Sequence, residues 1–230
     1  MKRSQPIIAI DGPVGVGKSA VAAQLARRLG FIYIDTGAMY RAIALKALRA
    51  GLSLDDADAI AALALETHLH FERKEGELRM ICDGADVSDA IRLPEVSAAT
   101  SPVADNPAVR ERLVALQREM GRNGGVVMEG RDISTVVFPD AELKIYLDAR
   151  PEIRARRRCD QLEAKGKSVT YEKTLEDLNE RDRRDRMRPV GALKKAEDAV
   201  VVDTSDLTEE QVIEALRCLA VEKGGRGMMI

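Results

Sequence analysis

Short apolar runs alternate with longer stretches of helical period along this chain. Ile7-Ile8-Ala9-Ile10 has no polar position, the mark of a short strand buried in a sheet. Val21, Ala22, Leu25, Ala26 and Leu29 then recur at helical spacing, with Gly30 as the stop. Phe31-Ile32-Tyr33-Ile34 predicts a second buried strand, residues 38–50 a helix closed by Gly51, and Ser53 the cap of an acidic-led third helix. Alternation takes over in His68-Leu69-His70-Phe71 and Leu78-Arg79-Met80-Ile81, split by Glu75-Gly76-Glu77, which is the grammar of a β-hairpin. Helices are expected over 93–99 and 107–122, the second opened by Pro107. Gly125-Val126-Val127-Met128, the run 143–147 and the run 199–202 supply three further core strands. A charge-rich helical region, interrupted at Gly166 and stopped near Pro189, separates the last two. A final helix is expected over 208–221, followed by a loose tail over 224–230. Strands alternating with helices predict an α/β fold: a five-stranded parallel sheet with helices on both faces, and a small antiparallel β insert.

Composition narrows the function classes. At 230 residues the chain can bury one substantial core and is near the size at which cores divide. A net charge of −2 gives no electrostatic case for binding duplexes, and 3% aromatics with no Trp argue against a base-stacking platform. Cys82, Cys159 and Cys218 are odd in number and lack metal spacing, which suits a reducing compartment. The first apolar run ends at Asp11, too soon for a signal peptide, and no stretch approaches a membrane span. The expectation is a cytoplasmic, soluble protein with neither nucleic acid nor membrane as partner.

The chemistry begins where the first strand ends. Gly12-Pro13-Val14-Gly15-Val16-Gly17-Lys18-Ser19 fits G-x-x-x-x-G-K-[ST], the phosphate-binding P-loop. Its glycines let successive N–H groups turn toward phosphate oxygens, and the helix that follows, through Ala20, aims its positive end at the same anion. Lys18 would reach the β- and γ-phosphates of a bound nucleotide, and the Ser19 hydroxyl would ligate Mg²⁺. Parallel sheets gather ligand loops at the carboxyl ends of their strands. There the chain offers Asp35-Thr36-Gly37, then Glu129-Gly130-Arg131-Asp132, then Asp148 and an arginine-rich run. Glu129 is a candidate Mg²⁺ partner, directly or through water, or else a surface carboxylate. Arg131 and Asp132 also suit a plain surface ion pair. Arg154, Arg157 and Arg158 share a helix face at i, i+3 and i+4, either for a polyanion or as a solvated face or weak nucleic-acid patch. Arg181, Asp185 and Arg188 form a stripe that taken alone reads as a surface salt-bridge ladder. His68 and His70 with Cys82 have too few companions of ligand spacing for a metal site.

Together DGPVGVGKS, DTGAMYR, EGRDISTVVFPDA and RDRRDRMRP resemble bacterial cytidylate kinases, the CMP/dCMP kinases of the nucleoside monophosphate kinase family, in order across nearly the whole chain. The string GRD-x-x-TVVFPDA is far more specific than the P-loop. The resemblance implies a P-loop core over 1–35, 106–150 and 171–225, a monophosphate-binding domain over 36–105 that contains the β insert, and a short helical lid over 151–170. It implies ATP and Mg²⁺ as cofactors and CMP or dCMP as acceptor; nothing in the sequence demands more than a monomer, which is the expectation. Thr36, Arg41, Arg131 and Arg188 would grip the CMP phosphate, with Asp35 and Tyr40 beside them in the DTGAMYR string. Arg181 and Asp185 would meet the ribose; Ser101, Arg110 and Asp132 would meet cytosine. Lys18, Arg131, Arg154, Arg157 and Arg158 would stabilise the transferring group. Glu129 stands where Asp is frequent in the family, Ser134 where Gly is common and Ala20 where Thr is common. The nearest alternative is another small-molecule P-loop kinase of UMP/CMP, adenylate or shikimate type. A GTP switch would need N-K-x-D, which the chain lacks, and the charge balance opposes an RNA-binding module.

Overall fold

The computed structural model describes residues 3–74, 77–164 and 166–224. In chain order its elements are β1 (Ile7–Asp11), α1 (Lys18–Leu29), β2 (Ile32–Asp35), α2 (Thr36–Arg49), α3 (Ala57–Glu66), β3 (Leu69–Lys74), β4 (Glu77–Cys82), β5 (Ala85–Asp86), α4 (Pro94–Asp105), α5 (Pro107–Gly121), β6 (Val126–Gly130), β7 (Leu143–Asp148), α6 (Pro151–Glu163), α7 (Tyr171–Met187), β8 (Val200–Asp203) and α8 (Glu209–Gly224). The expected five-stranded sheet is present in the order β2-β6-β1-β7-β8. β1 pairs in parallel with both β6 and β7, and β7 with β8. Paired on both sides and covered on both faces, β1 buries all five of its residues, which is why its sequence shows no alternation. Ile8, Ile10, Val127, Ile145 and Leu147 share one core with Leu25 of α1 and Leu216 of α8. The register sets Asp11 beside Gly130 on one side and Tyr146 on the other. Loops leaving β1 and β6 therefore start at one edge of the sheet.

Packing divides the chain into two units. One holds the chain up to Tyr33 and again from Gly121; the other is Ile34–Met120. The second unit has its own core, built by Met39, Ile43 and Ala47 of α2, Val96 and Val103 of α4, and Met80 of β4. Its three-stranded sheet runs β3-β4-β5 with antiparallel pairing. The hairpin is as expected; β5, two residues long, escapes a reading by periodicity. Glu75 and Gly76 of the expected turn, and residues 225–230 of the expected tail, lie outside the described residues.

Two helix boundaries correct the sequence reading. The third helix begins at Ala57, capped by Asp56, which accepts from the Ala59 N–H at 3.0 Å; Ser53 accepts from the Asp55 N–H inside a preceding turn. The helix expected to stop at Ala99 runs on to Asp105 with Pro102 inside it. Val96, Ala99 and Val103 form a buried stripe, and this packing outweighs the hydrogen bond that Pro102 cannot donate. Among the described residues no helix is long and apolar enough to cross a membrane.

Candidate active site

The loop after β1 is shaped by what stands beside it. At Gly12, φ is +154° and a Cβ would lie 2.1 Å from the Leu147 carbonyl oxygen of β7, so only glycine lets the chain pass. Gly17 enters α1 in the left-handed region at φ 92°, and no side chain caps the helix. The first-turn N–H groups of α1 thus have no side-chain acceptor at the cap, the arrangement that suits an anion. Lys18 is buried and donates from Nζ to the carbonyls of Gly12 and Pro13, at 2.8 Å each. Burial pushes its ammonium down to about 7; Arg131 adds to that push, while Glu129, Asp11 and Asp185 oppose it. Ser19 and Ala20 are exposed.

Two clamps from outside the loop fix its backbone. Asp182 of α7 accepts from the Val14 N–H at 3.1 Å, and Arg154 of α6 donates to the Val14 carbonyl at 2.9 Å. Arg154 and Asp182 bond each other at 2.5 Å with both side chains almost wholly buried. Arg154 also donates to the Ala149 carbonyl at 3.0 Å. At the next carbonyl but one, Val16 accepts from the Thr204 hydroxyl at 3.4 Å. Thr204 is held by Arg157, which donates to its hydroxyl at 3.1 Å and its carbonyl at 2.5 Å. Arg154 and Arg157 therefore bind protein acceptors. Arg158 is exposed, and Arg156 lies over the Tyr171 ring at 5.0 Å.

Beside the loop, the end of β6 gathers opposite charges. Glu129 is buried and accepts from the Tyr33 hydroxyl at 2.6 Å. Arg131 donates from Nε to Asp185 at 2.8 Å, and Arg188 donates to the other Asp185 oxygen at 2.8 Å. Asp185 is only 4% exposed. Burial alone would push its carboxyl up, but Arg131 and Arg188 bring it below the usual carboxylate range, with Arg181 adding to the pull. The stripe on α7 is thus no solvated ladder: Asp185 holds two arginines side by side. Asp132 is buried just after Arg131.

The Ile34–Met120 unit carries the second set. Asp35 caps α2 by accepting from the Ala38 N–H at 2.9 Å, and its other oxygen pairs with Arg41 at 2.7 Å. Gly37 makes room for this pair, since a Cβ there would lie 3.0 Å from an Arg41 nitrogen and 3.1 Å from Asp35. Arg41 Nε is buried and makes no hydrogen bond to the described residues, so one donor of this arginine awaits an acceptor. Thr36 and Ser101 are buried. Arg110 lies over the Tyr40 ring at 5.4 Å and donates to the Ala104 carbonyl at 3.2 Å.

Several contributors escape a sequence reading: Asp11, Tyr33, Asp182, Thr204 and the spacing role of Gly37. Only Gly37 carries a local signal, lying between two charged residues that meet across it. Ser19 and Glu129 offer hard oxygens, the donor type that Mg²⁺ takes. Among the described residues no three His, Cys, Asp or Glu side chains gather as a metal cage. That donor set fits an ion held largely by substrate phosphates, as Mg²⁺ is in kinases. His68 is 87% exposed and His70 is exposed, whereas Cys82 is buried, so these three form no site.

A sequence model of the family described as cytidylate kinase matches residues 8–221. A cytidylate kinase from Pelotomaculum thermopropionicum is 54% identical, covering 93% of this chain and 95% of its own length. One from Desulfitobacterium hafniense is 49% identical, covering 94% and 93% respectively. The crystal structure of an uncharacterized protein from Eubacterium ventriosum resembles the fold with a TM-score of 0.51 at 14% identity, covering 94% of this chain and 98% of that one.

Proposed function

The chain belongs to the cytidylate kinase family, and on that premise we propose that it transfers the γ-phosphoryl group of ATP in line to the 5′-phosphate of CMP or dCMP, giving CDP or dCDP and ADP. The observation that carries the residue assignments is the convergence of cations at the sheet's carboxyl edge. Lys18 is on the P-loop, while Arg131 and Arg188 are held on one buried carboxylate, Asp185. Two polyanions must be brought together. Each pair of unit charges at 4 Å repels by about 4 kcal/mol at an effective dielectric of 20. Positioned cations offset that repulsion and stabilise the charge that spreads over the transferring group.

The acceptor phosphate is already anionic at neutral pH, so the reaction requires no general base. In this reading the ATP phosphates lie along the loop from Gly12 to Ala20, on its N–H groups from Gly15 onward and on Lys18, while the Val14 N–H stays on Asp182. Arg154 and Arg157 act on the transfer by holding Val14 and Val16, and Arg158 reaches the phosphates from solvent. Arg41, with its unpartnered Nε, and Thr36 grip the CMP phosphate for the Ile34–Met120 unit, with Asp35 and Tyr40 holding Arg41 and Arg110. Arg131 and Arg188 do so for the other unit, Asp185 and Arg181 take the ribose hydroxyls, and Asp132, Arg110 and Ser101 take the cytosine edge. Asp132 accepts from the exocyclic amino group while Arg110 and Ser101 donate to ring acceptors. Uracil reverses the donor pattern there and leaves buried groups unpaired. Mg²⁺, held by Ser19 and by Glu129 directly or through water, would neutralise phosphate charge.

We assign residues 36–105 to the monophosphate-binding domain and 151–170 to a lid whose closure keeps water from the γ-phosphate. We place the enzyme in the cytoplasm as a monomer, in keeping with three unpaired cysteines and a complete set of proposed contacts from one chain. A coupled ADP-release assay with ATP·Mg²⁺ against CMP, dCMP, UMP, AMP, GMP and shikimate tests the assignment. CMP or dCMP is the preferred acceptor by kcat/KM; a faster rate with any of the others overturns it.

A further inference from the structure

Asp11 is completely buried at the end of β1, and neither the P-loop motif nor the phosphate-gripping set uses it. One of its carboxylate oxygens accepts from the Ile133 N–H at 2.8 Å. The other accepts from the Ser134 N–H at 2.8 Å and from the Ser134 hydroxyl. Ile133 and Ser134 open the single wide turn Ile133–Val137, which follows directly on Asp132. The Asp132 carbonyl accepts from the Val136 and Val137 N–H groups at 2.8 and 3.2 Å, which closes the turn.

The first N–H groups of such a turn have no partner within it, and an aspartate in front ordinarily caps them with its own carboxylate. Asp132 stands in that place but does not cap: its side chain makes no capping bond. Asp11 takes the N–H groups instead, from 122 residues away. We propose that Asp11 is a positioning residue for base recognition, capping the turn after β6 in place of Asp132 and so directing Asp132 and Arg131 toward the monophosphate. The inference rests on the reading of Asp132 as the cytosine contact.

The electrostatics agree with the geometry. Burial pushes the Asp11 carboxyl up, the bonds from Ser134 and Ile133 oppose that push, and the charge on Asp132 adds to it. A like charge nearby disfavours an ionised carboxylate, and the donors from Ile133 and Ser134 favour it, so the bonds that cap the turn also support the Asp11 charge. Asp11 belongs to the strand that launches the P-loop, so one residue ties the start of the ATP loop to the turn that carries the base contact. Ser134, whose hydroxyl adds a third donor, is part of the same device.

The test is steady-state kinetics on Asp11→Asn and Ser134→Ala with CMP and UMP, alongside thermal melting. Asparagine offers one acceptor and turns an N–H₂ donor toward a backbone N–H. In Asp11→Asn the ratio of kcat/KM for CMP to that for UMP falls by roughly tenfold to a hundredfold, with a larger rise in KM for CMP than for ATP. Ser134→Ala, which loses only the hydroxyl bond, shifts the ratio the same way by less. In an Asp132→Ala background Asp11→Asn moves the ratio no further, because its effect passes through Asp132. Variants that lower Tm and keep the wild-type ratio overturn the inference, as does a full additive loss in the Asp132→Ala background. Should Asp11→Asn fail to fold, Ser134→Ala decides alone, and an unchanged ratio contradicts the proposal. A wild-type enzyme indifferent to the base is a distinct result, seen before any variant, and overturns the parent reading with it.

Discussion

Lys18 shows how a single residue carries both the motif and its environment. Its ammonium rests on two loop carbonyls, where burial and Arg131 work against its charge and Glu129, Asp11 and Asp185 only partly offset them; in the proposed function, phosphate oxygens add the negative charge that favours it. Lys18→Ala is expected to lower kcat by roughly a thousandfold, the scale for removing a charge-stabilising donor, read in an ADP-release assay. Asp185 makes a second prediction, on stability. Its folded-state carboxyl titrates below the ordinary 3.8, so its contribution is present above that pH and is lost as pH falls through the folded value. The drop in Tm from pH 5 to pH 3 is therefore expected to be steeper in the wild type than in Asp185→Asn; equal slopes would deny the pair this role. At this scale the sequence reveals the residues whose chemistry is written into a local pattern. Lys18, Ser19 and Arg131 stand in such patterns, and Gly12 is fixed by one. Asp182 does not: nothing in a charge-rich helix says that this acid accepts from a backbone N–H 168 residues away.

Among the elements, α6 and α7 depart furthest from a reading by helical spacing. Arg154 and Arg157 look from the sequence like cations on one face, open to a polyanion or to solvent. In the structure they reach protein acceptors, and the Arg154–Asp182 pair locks both helices to the backbone of Val14. A buried pair of this kind is costly to break by halves, because the partner left behind is an uncompensated charge. Arg154→Met or Asp182→Leu alone is expected to destabilise the protein by about 3–5 kcal/mol, and the double substitution by less than the sum, measured by denaturant unfolding. The single variants should also raise KM for ATP, since the loop they hold is the proposed phosphate cradle; an unchanged KM would confine the pair to stability. Boundaries are less legible than elements for a related reason. Pro102 and Ser53 carry local stop and cap signals, yet α4 is extended by the packing of Val96, Ala99 and Val103, and α3 waits for Asp56. Tertiary burial decides such cases, and no window of sequence contains it.

For the whole molecule, the alternation of apolar runs and helical stretches was enough to give the parallel sheet, because the core strands are short and largely apolar and four of the five are followed by a chemically marked loop. Strand order was not legible in the same way. That β6 and β7 flank β1 follows from pairing across more than a hundred residues, and it is this order that sets Asp11 beside Gly130 and Tyr146. The fold thereby gives Lys18, Glu129 and Arg131 a common edge, while the Ile34–Met120 unit holds Arg41 and Arg110 on its own frame of Asp35, Gly37 and Tyr40. The central claim is that the phosphoryl group passes from ATP to CMP without a detour through water. Following isotope from [γ-³²P]ATP·Mg²⁺ in the presence of CMP tests it most directly. The account predicts label in the β-phosphate of CDP, equal in amount to the ADP formed; label released as inorganic phosphate, or ADP formed at the same rate without CMP, would contradict it.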